Sequence, residues 1–438
     1  MSRFIGNLHL CDIPAPQPYL ISLAQVGSIV LISMRPTTYL HTGLWQRLPR
    51  RLRRKLLFIT TSRLAPRPSW DGTVGGPVVV AGFLRTASGL GESARLCHDA
   101  LIRGGYDVYG IDLSGAFKQP GPTVNFSFRD GRCIWGAGTV ILHINSPFVP
   151  LALLCLGRRL LAYKKIVGYW AWELQEVPAE WRVGIPFVHE IWVPSRFTAE
   201  AIGPIAGNVP VEIVPHPVAV NYPVVAPEHA ERRPFTVLLS FNMASGFSRK
   251  NPLGSIAAFK LAFGEDLASL LVIRLMNSQT YKKGYSEMLR FIGSADNIKT
   301  LSSPAKTVSD LYAEADAVLS LHRSEGFGLV IAEAMLRGLP VVATDWSGNV
   351  DFLTPKNGFP ISYSLIPAVD DQGTYDQSSS VWAEPNISEA AAALRQLRYN
   401  RSLRTRIGAQ AAADAANKFS VATYRQLTRR KLGGKLDG

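Results

Sequence analysis

Two carboxylates and two cations define the chemistry on offer. Glu325 and Glu333 stand eight residues apart in "SEGFGLVIAEAM", and Arg249 and Lys250 are adjacent in "SFNMASGFSRKNP". Cations and exposed backbone amides suit a diphosphate, whose oxygens take charge-assisted hydrogen bonds from both. Carboxylates accept hydrogen bonds from hydroxyls, as a sugar requires. Gly326 and Gly328 allow close backbone approach beside Glu325, and "TDWSGN" adds Ser347 and Gly348 with further amides. A fully helical path from Glu325 would carry Glu333 about two turns on, a rise of ~12 Å. That separation fits two parts of one long ligand, a sugar and a ribose, better than a carboxylate dyad. The plainer reading makes Glu333 a solvated helix residue and Glu325 a charge near a helix N-terminus. Against it, Ile331, Ala332, Ala334 and Met335 surround Glu333 with an apolar setting.

Residues of this kind collect beyond the carboxyl ends of parallel strands. From Pro77 the chain supplies such strands: "VVVAGFL", "VYGID", "TVILHIN", "KIVGYW" and "EIWVP". Helical lengths separate several of them, including Ser93 to Arg103, "PFVPLALLCLGRRLLAY" and "SRFTAEAIGPIA". A second series follows the proline-rich 214–234: "FTVLLSF", "LLVIRLM", "NIKTLSS", "ADAVLSL" and "PVVATD", with Pro252 opening a helix. Alternation of this sort predicts α/β architecture with two Rossmann-like domains. The expected division is a basic extension at 1–75, a first domain at 76–225, a second at 226–410, and a C-terminal helix and tail at 411–438 that returns to the first domain.

The 438 residues are too many for one ordinary core, and 47% hydrophobic against 18% charged is a globular balance. The net charge of +14 is uneven. "LWQRLPRRLRRKLLFI" interleaves leucines with six cations, as an amphipathic helix broken at Pro49 would, and 44–59 is a candidate contact with an anionic membrane surface. A solvated linker helix is the plainer account. The apolar run from Tyr19 to Met34 is too short to span a bilayer, and no secretory signal precedes it, so a cytoplasmic protein is expected, peripheral at the inner face of the membrane. Cys11, Cys97, Cys133 and Cys155 lack metal-ligand spacing and read as small buried side chains.

"EGFGLVIAEAMLRGLPVVATD" resembles the Glu-x7-Glu segment of retaining glycosyltransferases of family 4, which have the GT-B fold. The likeness extends in element order over most of 78–425. It implies that Glu325 holds the donor sugar and Glu333 the ribose of the nucleotide. It places the amides of Phe327, Gly328 and Leu329 near sugar and phosphates. Lys250 matches the family's phosphate-binding lysine; the customary arginine falls at Ser245, with Arg249 as a substitute. "RTASGLGESARL" resembles the glycine-rich loop facing acceptor and donor phosphates, through Gly89 and Gly91. Where the family usually has a histidine, this chain reads "YWAWELQEVPAEW". Trp170, Trp172 and Glu173 there share an aromatic–acidic pattern with a subgroup of polysaccharide transferases. Trp faces stack on sugars and Glu173 accepts an acceptor hydroxyl, or the tryptophans are core. His143 in "LHINSP" is a lesser acceptor-side candidate, with a structural histidine the plainer reading. Base recognition is expected from the backbone at 301–305.

No Asp-x-Asp occurs in the chain, which argues against a metal-held diphosphate. The resemblance implies a retaining transferase, with neither metal nor cofactor, moving a hexose such as mannose from a nucleoside diphosphate sugar. The acceptor would be a glycan or lipid-linked oligosaccharide in surface polysaccharide synthesis. The alternatives are a nucleotide-sugar epimerase or inverting transferase of the same fold, and a basic nucleic-acid-binding protein. No nucleic-acid module is present, and the densest basic run lies outside both predicted sheets.

Overall fold

The structure is a computed structural model that describes residues 48–119, 123–218, 233–301, 308–375 and 379–433. Its first lobe holds six parallel strands: β1 (Val78–Gly82), β2 (Val108–Asp112), β3 (Gly138–Leu142), β4 (Lys164–Tyr169), β5 (Glu190–Val193) and β6 (Val211–Ile213). They lie in the order β2-β1-β3-β4-β5-β6. The second lobe holds β7 (Phe235–Asn242), β8 (Ser269–Met276), β9 (Ile298–Leu301), β10 (Ala317–Ser320), β11 (Val341–Thr344) and β12 (Phe359–Ile361), ordered β12-β11-β10-β7-β8-β9. Both are parallel, doubly wound sheets, as expected. Their order reverses between β1 and β3 in one lobe and between β7 and β10 in the other, and ligands gather at such switch points. β1 and β3 are buried on both faces, which is why they read as unbroken apolar runs.

A hairpin of β13 (Tyr363–Pro367) and β14 (Val381–Pro385) stands apart from both sheets. It leaves the second lobe, yet Ala368, Tyr375 and Trp382 join the first lobe's apolar core beside Trp172 and Trp181. The strand signals missed β6, β12 and this hairpin. β6 and β12 have three residues each, and β13 faces solvent along most of its length.

Other boundaries need correction. The glycine loop is already helix: Ser88 caps Gly89–Arg103, its hydroxyl accepting from the Gly91 amide at 3.1 Å. The long apolar helix is cut in two at Gly157, where φ is 79°. Residue 411 falls inside the helix Arg401–Lys418, whose Ala411 and Ala415 pack in the second lobe. The chain crosses over after that helix. Val421–Leu432 then packs on the first lobe through Tyr424 and Leu432, with Tyr424 donating to Cys97 Sγ at 3.2 Å. The boundary at 225/226 lies in 219–232, outside the described residues, as do 1–47 and 302–307.

Pro49 starts rather than breaks a helix, preceding Arg50–Leu64. Phe58 anchors that helix edge-on to Phe148 of the first lobe, ring centroids 5.3 Å apart. Leu52, Leu56 and Ile59 face outward. Only Cys97 of the described cysteines is buried; Cys133 and Cys155 are exposed. Among the described residues, no helix is long and apolar enough to cross a membrane.

Candidate functional site

The loops after β7 and β10, at the second lobe's switch point, bring Lys250, Arg249 and Glu325 together. Lys250 closes a single helical turn, Phe247–Lys250, and its Nζ donates to Glu325 Oε1. Arg249 Nη1 lies 3.2 Å from Glu325 Oε2. Burial alone would raise the Glu325 carboxyl, but the two cations outweigh it and bring its pKa down to about 2. Burial likewise opposes the Arg249 charge, and the Tyr375 oxygen with the Glu325 and Glu173 carboxylates overcomes that and raises its pKa.

Arg249 is the more constrained cation. Its Nη1 donates to the Ser324 carbonyl at 2.6 Å and its Nη2 to the Ser245 carbonyl at 2.7 Å. The guanidinium thus reaches back to the position where the customary arginine is missing. Its side chain is 3% exposed against 18% for Lys250, so Lys250 presents the more accessible charge.

Ser347 and Gly348 brace Glu325. Ser347 has φ 73°, and its hydroxyl accepts from the Glu325 amide at 2.7 Å. The Gly348 amide donates to the Glu325 carbonyl at 2.9 Å. A Cβ on Gly348 would come within 2.4 Å of the Gly326 carbonyl oxygen, so no larger residue fits. The Ser347 hydroxyl and the Gly348 amide therefore hold the Glu325 loop. Phe327 is buried against Phe352, Phe419 and the His216 ring, so its side chain is core. Gly328, at φ 98°, turns the chain into the helix Leu329–Leu336, which begins four residues after Glu325. Leu329 is its first residue, and the amides of 327–329 therefore lie at a helix N-terminus.

Glu333 lies in the second turn of that helix, half-buried. The Tyr312 hydroxyl donates to it at 2.9 Å. Burial raises its pKa, and Glu92 of the first lobe adds to the rise. Glu92 sits in the first turn of the glycine-loop helix, held by Arg95 Nη2 at 2.6 Å. The two lobes face one another here. Gly89 is exposed with open space around its missing side chain, whereas a Cβ on Gly91 would come within 2.4 Å of the Thr86 carbonyl oxygen. Gly91 serves the loop's own packing, whereas Gly89 stands open on the loop's surface.

The first lobe closes on the Glu325 loop directly. Ser195 and Thr198, at the N-terminus of the helix Arg196–Ala206, donate to the Gly326 carbonyl at 2.6 and 3.2 Å. Thr198 also donates to the Trp172 carbonyl at 3.1 Å. Glu173 accepts from the Tyr375 hydroxyl at 3.0 Å and bears on Arg249 and Lys250 electrostatically. The tryptophans are core: Trp170 is fully buried and Trp172 is 6% exposed, packed on Trp181 and Tyr375. So buried, the two rings pack as the plainer reading of the sequence had them.

His143 is fully buried, 2.8 Å from Ser93 Oγ and stacked on Tyr169. Burial pushes its pKa well down, with His216 adding to it. It stands inside the first lobe, at the carboxyl end of β3. His322, missed in the sequence, is buried between the Ser320 carbonyl and Asn349 Oδ1, at 3.0 and 2.9 Å. Tyr312, Tyr375, Ser195 and Thr198 were also missed. "SRFT" carries a helix-cap signal; neither tyrosine has a local one. Among the described residues, no group of three or more His, Cys, Asp or Glu is arranged to hold a metal ion.

Comparison with known proteins bears on the fold and on the second lobe. Residues 236–414, the lobe carrying Lys250, Glu325 and Glu333, match the family described as Glycosyl transferases group 1. The lipopolysaccharide core biosynthesis mannosyltransferase LpsB of Rhizobium meliloti (strain 1021) is 29% identical over 119 residues, 27% of this chain and 30% of that protein. The match therefore spans less than a third of that relative's length. Anabaena Alr3699/HepE, solved with UDP and glucose, superposes with a TM-score of 0.57 at 14% identity, over 82% of this chain and 100% of that one. A glycosyltransferase from Rickettsia africae ESF-5 gives 0.55 at 13% identity, over 81% and 99%. The fold is that of GT-B glycosyltransferases, two parallel-sheet α/β domains, and the group 1 domain supports a glycosyltransferase.

Proposed function

We propose that this chain is a retaining, metal-independent hexosyltransferase of family 4. It would transfer a hexose, with mannose the first candidate, from a nucleoside diphosphate sugar to a glycan or lipid-linked oligosaccharide in surface polysaccharide synthesis. The observation that carries the reading is the Lys250–Glu325–Arg249 cluster at the second lobe's switch point, fastened to the first lobe through Gly326. The LpsB likeness supports mannose, and the UDP and glucose in HepE support a nucleotide-sugar donor.

In this reading Lys250 neutralises the donor diphosphate, Arg249 adds a fixed charge behind it, and the amides of 327–329 face the phosphates. Glu325 holds the sugar hydroxyls and Glu333 the ribose. Gly89 lets the first lobe approach the diphosphate. The acceptor hydroxyl oxygen forms a bond to the anomeric carbon from the face the leaving group vacates. The bond from that carbon to the diphosphate oxygen breaks, the nucleoside diphosphate departs with the electron pair, and one of its phosphate oxygens takes the acceptor's proton. No protein base is required, and the facing lobes limit access of water.

Full-length protein mixed with a panel of nucleoside diphosphate hexoses and a glycan acceptor tests this. Transfer with unchanged anomeric configuration, read by NMR, is expected; an inverted product would overturn retention, and epimerised donor without transfer would overturn the transferase. Binding to the anionic inner face of the cell membrane belongs to the same reading. Leu52, Leu56 and Ile59 form an exposed apolar stripe flanked by Arg53, Lys55 and Arg63. Replacing all three with serine should abolish co-sedimentation with anionic vesicles, and unchanged binding would remove the membrane from the account.

A further inference from the structure

The hairpin β13–β14 carries a group that no local pattern places in the site. Tyr375 lies in the connection between its strands, yet is buried among first-lobe side chains. Three contacts fix it. Its hydroxyl donates to Glu173 Oε2 at 3.0 Å; its ring packs on Trp172, centroids 5.5 Å apart; and the Arg249 guanidinium sits 5.4 Å from the ring centroid. The connection is tied to the loop bearing those cations as well. Gln372 accepts from the Phe247 amide at 2.6 Å and donates to the Met243 carbonyl at 3.1 Å, and Lys283 pairs with Asp371 at 2.6 Å. At the hairpin's base, Arg323 Nε donates to Glu384 at 2.6 Å. One side chain therefore touches the first lobe's carboxylate and the second lobe's phosphate-side cation.

Resting on the transferase reading above, we infer that Tyr375 is a positioning residue for transfer: its hydroxyl holds Glu173 Oε2 so that Oε1 is aimed at the acceptor hydroxyl, while its ring fixes Glu173 relative to Arg249. Glu173 is then the acceptor-side group and Tyr375 acts through it. A carboxylate free to rotate would find the acceptor hydroxyl less often. It would also swing toward Lys250 and Arg249 and compete with the diphosphate for their charge. Holding one oxygen on a tyrosine hydroxyl prevents both.

Tyr375→Phe keeps the ring packing and removes only the hydrogen bond. It should raise the acceptor KM about tenfold, the order expected for a hydrogen bond to a charged group, with donor affinity and Tm little changed. Glu173→Ala should give at least as large a rise, and the double variant no more than that single effect, because Tyr375 acts on the acceptor only through Glu173. A merely structural tyrosine would instead lower Tm and weaken donor and acceptor alike. Additive effects, or an unchanged acceptor KM in Tyr375→Phe while the wild type transfers normally, would overturn this inference alone. A wild-type chain without transfer from any donor would remove the transferase reading, and this inference with it.

Discussion

The Ser195 hydroxyl donates to the Gly326 carbonyl at 2.6 Å, so the residue next to Glu325 is fastened to the opposite lobe. The same hydroxyl accepts from the Thr198 amide and caps the helix Arg196–Ala206. The position of Glu325 and the docking of the lobes are therefore one mechanical fact.

Ser195→Ala removes both bonds. Loss of a buried hydrogen bond and a helix cap should cost about 1–3 kcal/mol of stability. The catalytic consequence should fall on kcat more than on donor affinity, since the phosphate-side cations stay in place. Thermal melts with steady-state kinetics check this; a full wild-type kcat at reduced Tm would separate lobe docking from catalysis.

Removal of Lys250 and of Glu325 should look different. Lys250→Ala leaves Glu325 paired with Arg249 and should lower transfer about 10²–10³-fold with modest loss of stability. Glu325→Ala leaves the buried Arg249 and the half-buried Lys250 without their carboxylate and should cost about 3–5 kcal/mol as well as activity. Glu325→Gln keeps the volume and is the better kinetic probe. Its pH profile carries a second signature. The folded pKa of about 2 lies below the ordinary 4.5, so the pairing stabilises fully above pH 4.5 and is lost as pH falls toward 2. Acid titration of stability should therefore be shallower in Glu325→Gln over that window.

Glu333 has the opposite sign. Its folded pKa is raised, so the folded state favours the protonated form, and stability is lost as pH rises through 4.5 and beyond. Glu333→Gln, with Tyr312 still donating, should raise Tm at pH 7 and lose that advantage near pH 4. Donor affinity should fall in the same variant. A gain in stability coupled to a loss of nucleotide binding is what a functional carboxylate in an unfavourable setting produces. Unchanged affinity would return Glu333 to the structural class.

Two glycines in one loop should separate. Gly91→Ala forces a Cβ against the Thr86 carbonyl and should destabilise by about 1–3 kcal/mol. Gly89→Ala, exposed at the first position of a helix, should leave Tm unchanged or slightly higher while weakening donor or acceptor binding. Normal kinetics in a stable Gly89→Ala would mean that no ligand approaches this turn.

Both sheets could be read from the chain because their central strands are buried on both faces and announce themselves as apolar runs. Pro252 at a helix start and the strand–loop–helix around Glu325 were legible for similarly local reasons. What escaped was set by tertiary contact. Tyr375 comes from a hairpin whose strands face solvent on one side and pack on a different lobe on the other, so its periodicity points nowhere. Arg249 was named from its position, but its reach back to Ser245 depends on a single helical turn that no pattern encodes. Trp172 shows the converse: an aromatic beside an acid looks like a sugar platform until Trp181 and Tyr375 cover it. The bonds from Ser347 and Gly348 to Glu325 escape the sequence too, because small residues beside such a loop serve as well to hold it as to admit a ligand.

Calorimetric titration of the full chain with UDP, GDP and ADP tests the central claim, that Lys250 beside Glu325 receives a nucleoside diphosphate. One of the three should bind saturably, with little dependence on salt, and at least tenfold more weakly to Lys250→Ala. Equal binding by the wild type and Lys250→Ala, or no binding of any of them beside salt-sensitive binding of oligonucleotides, would contradict it.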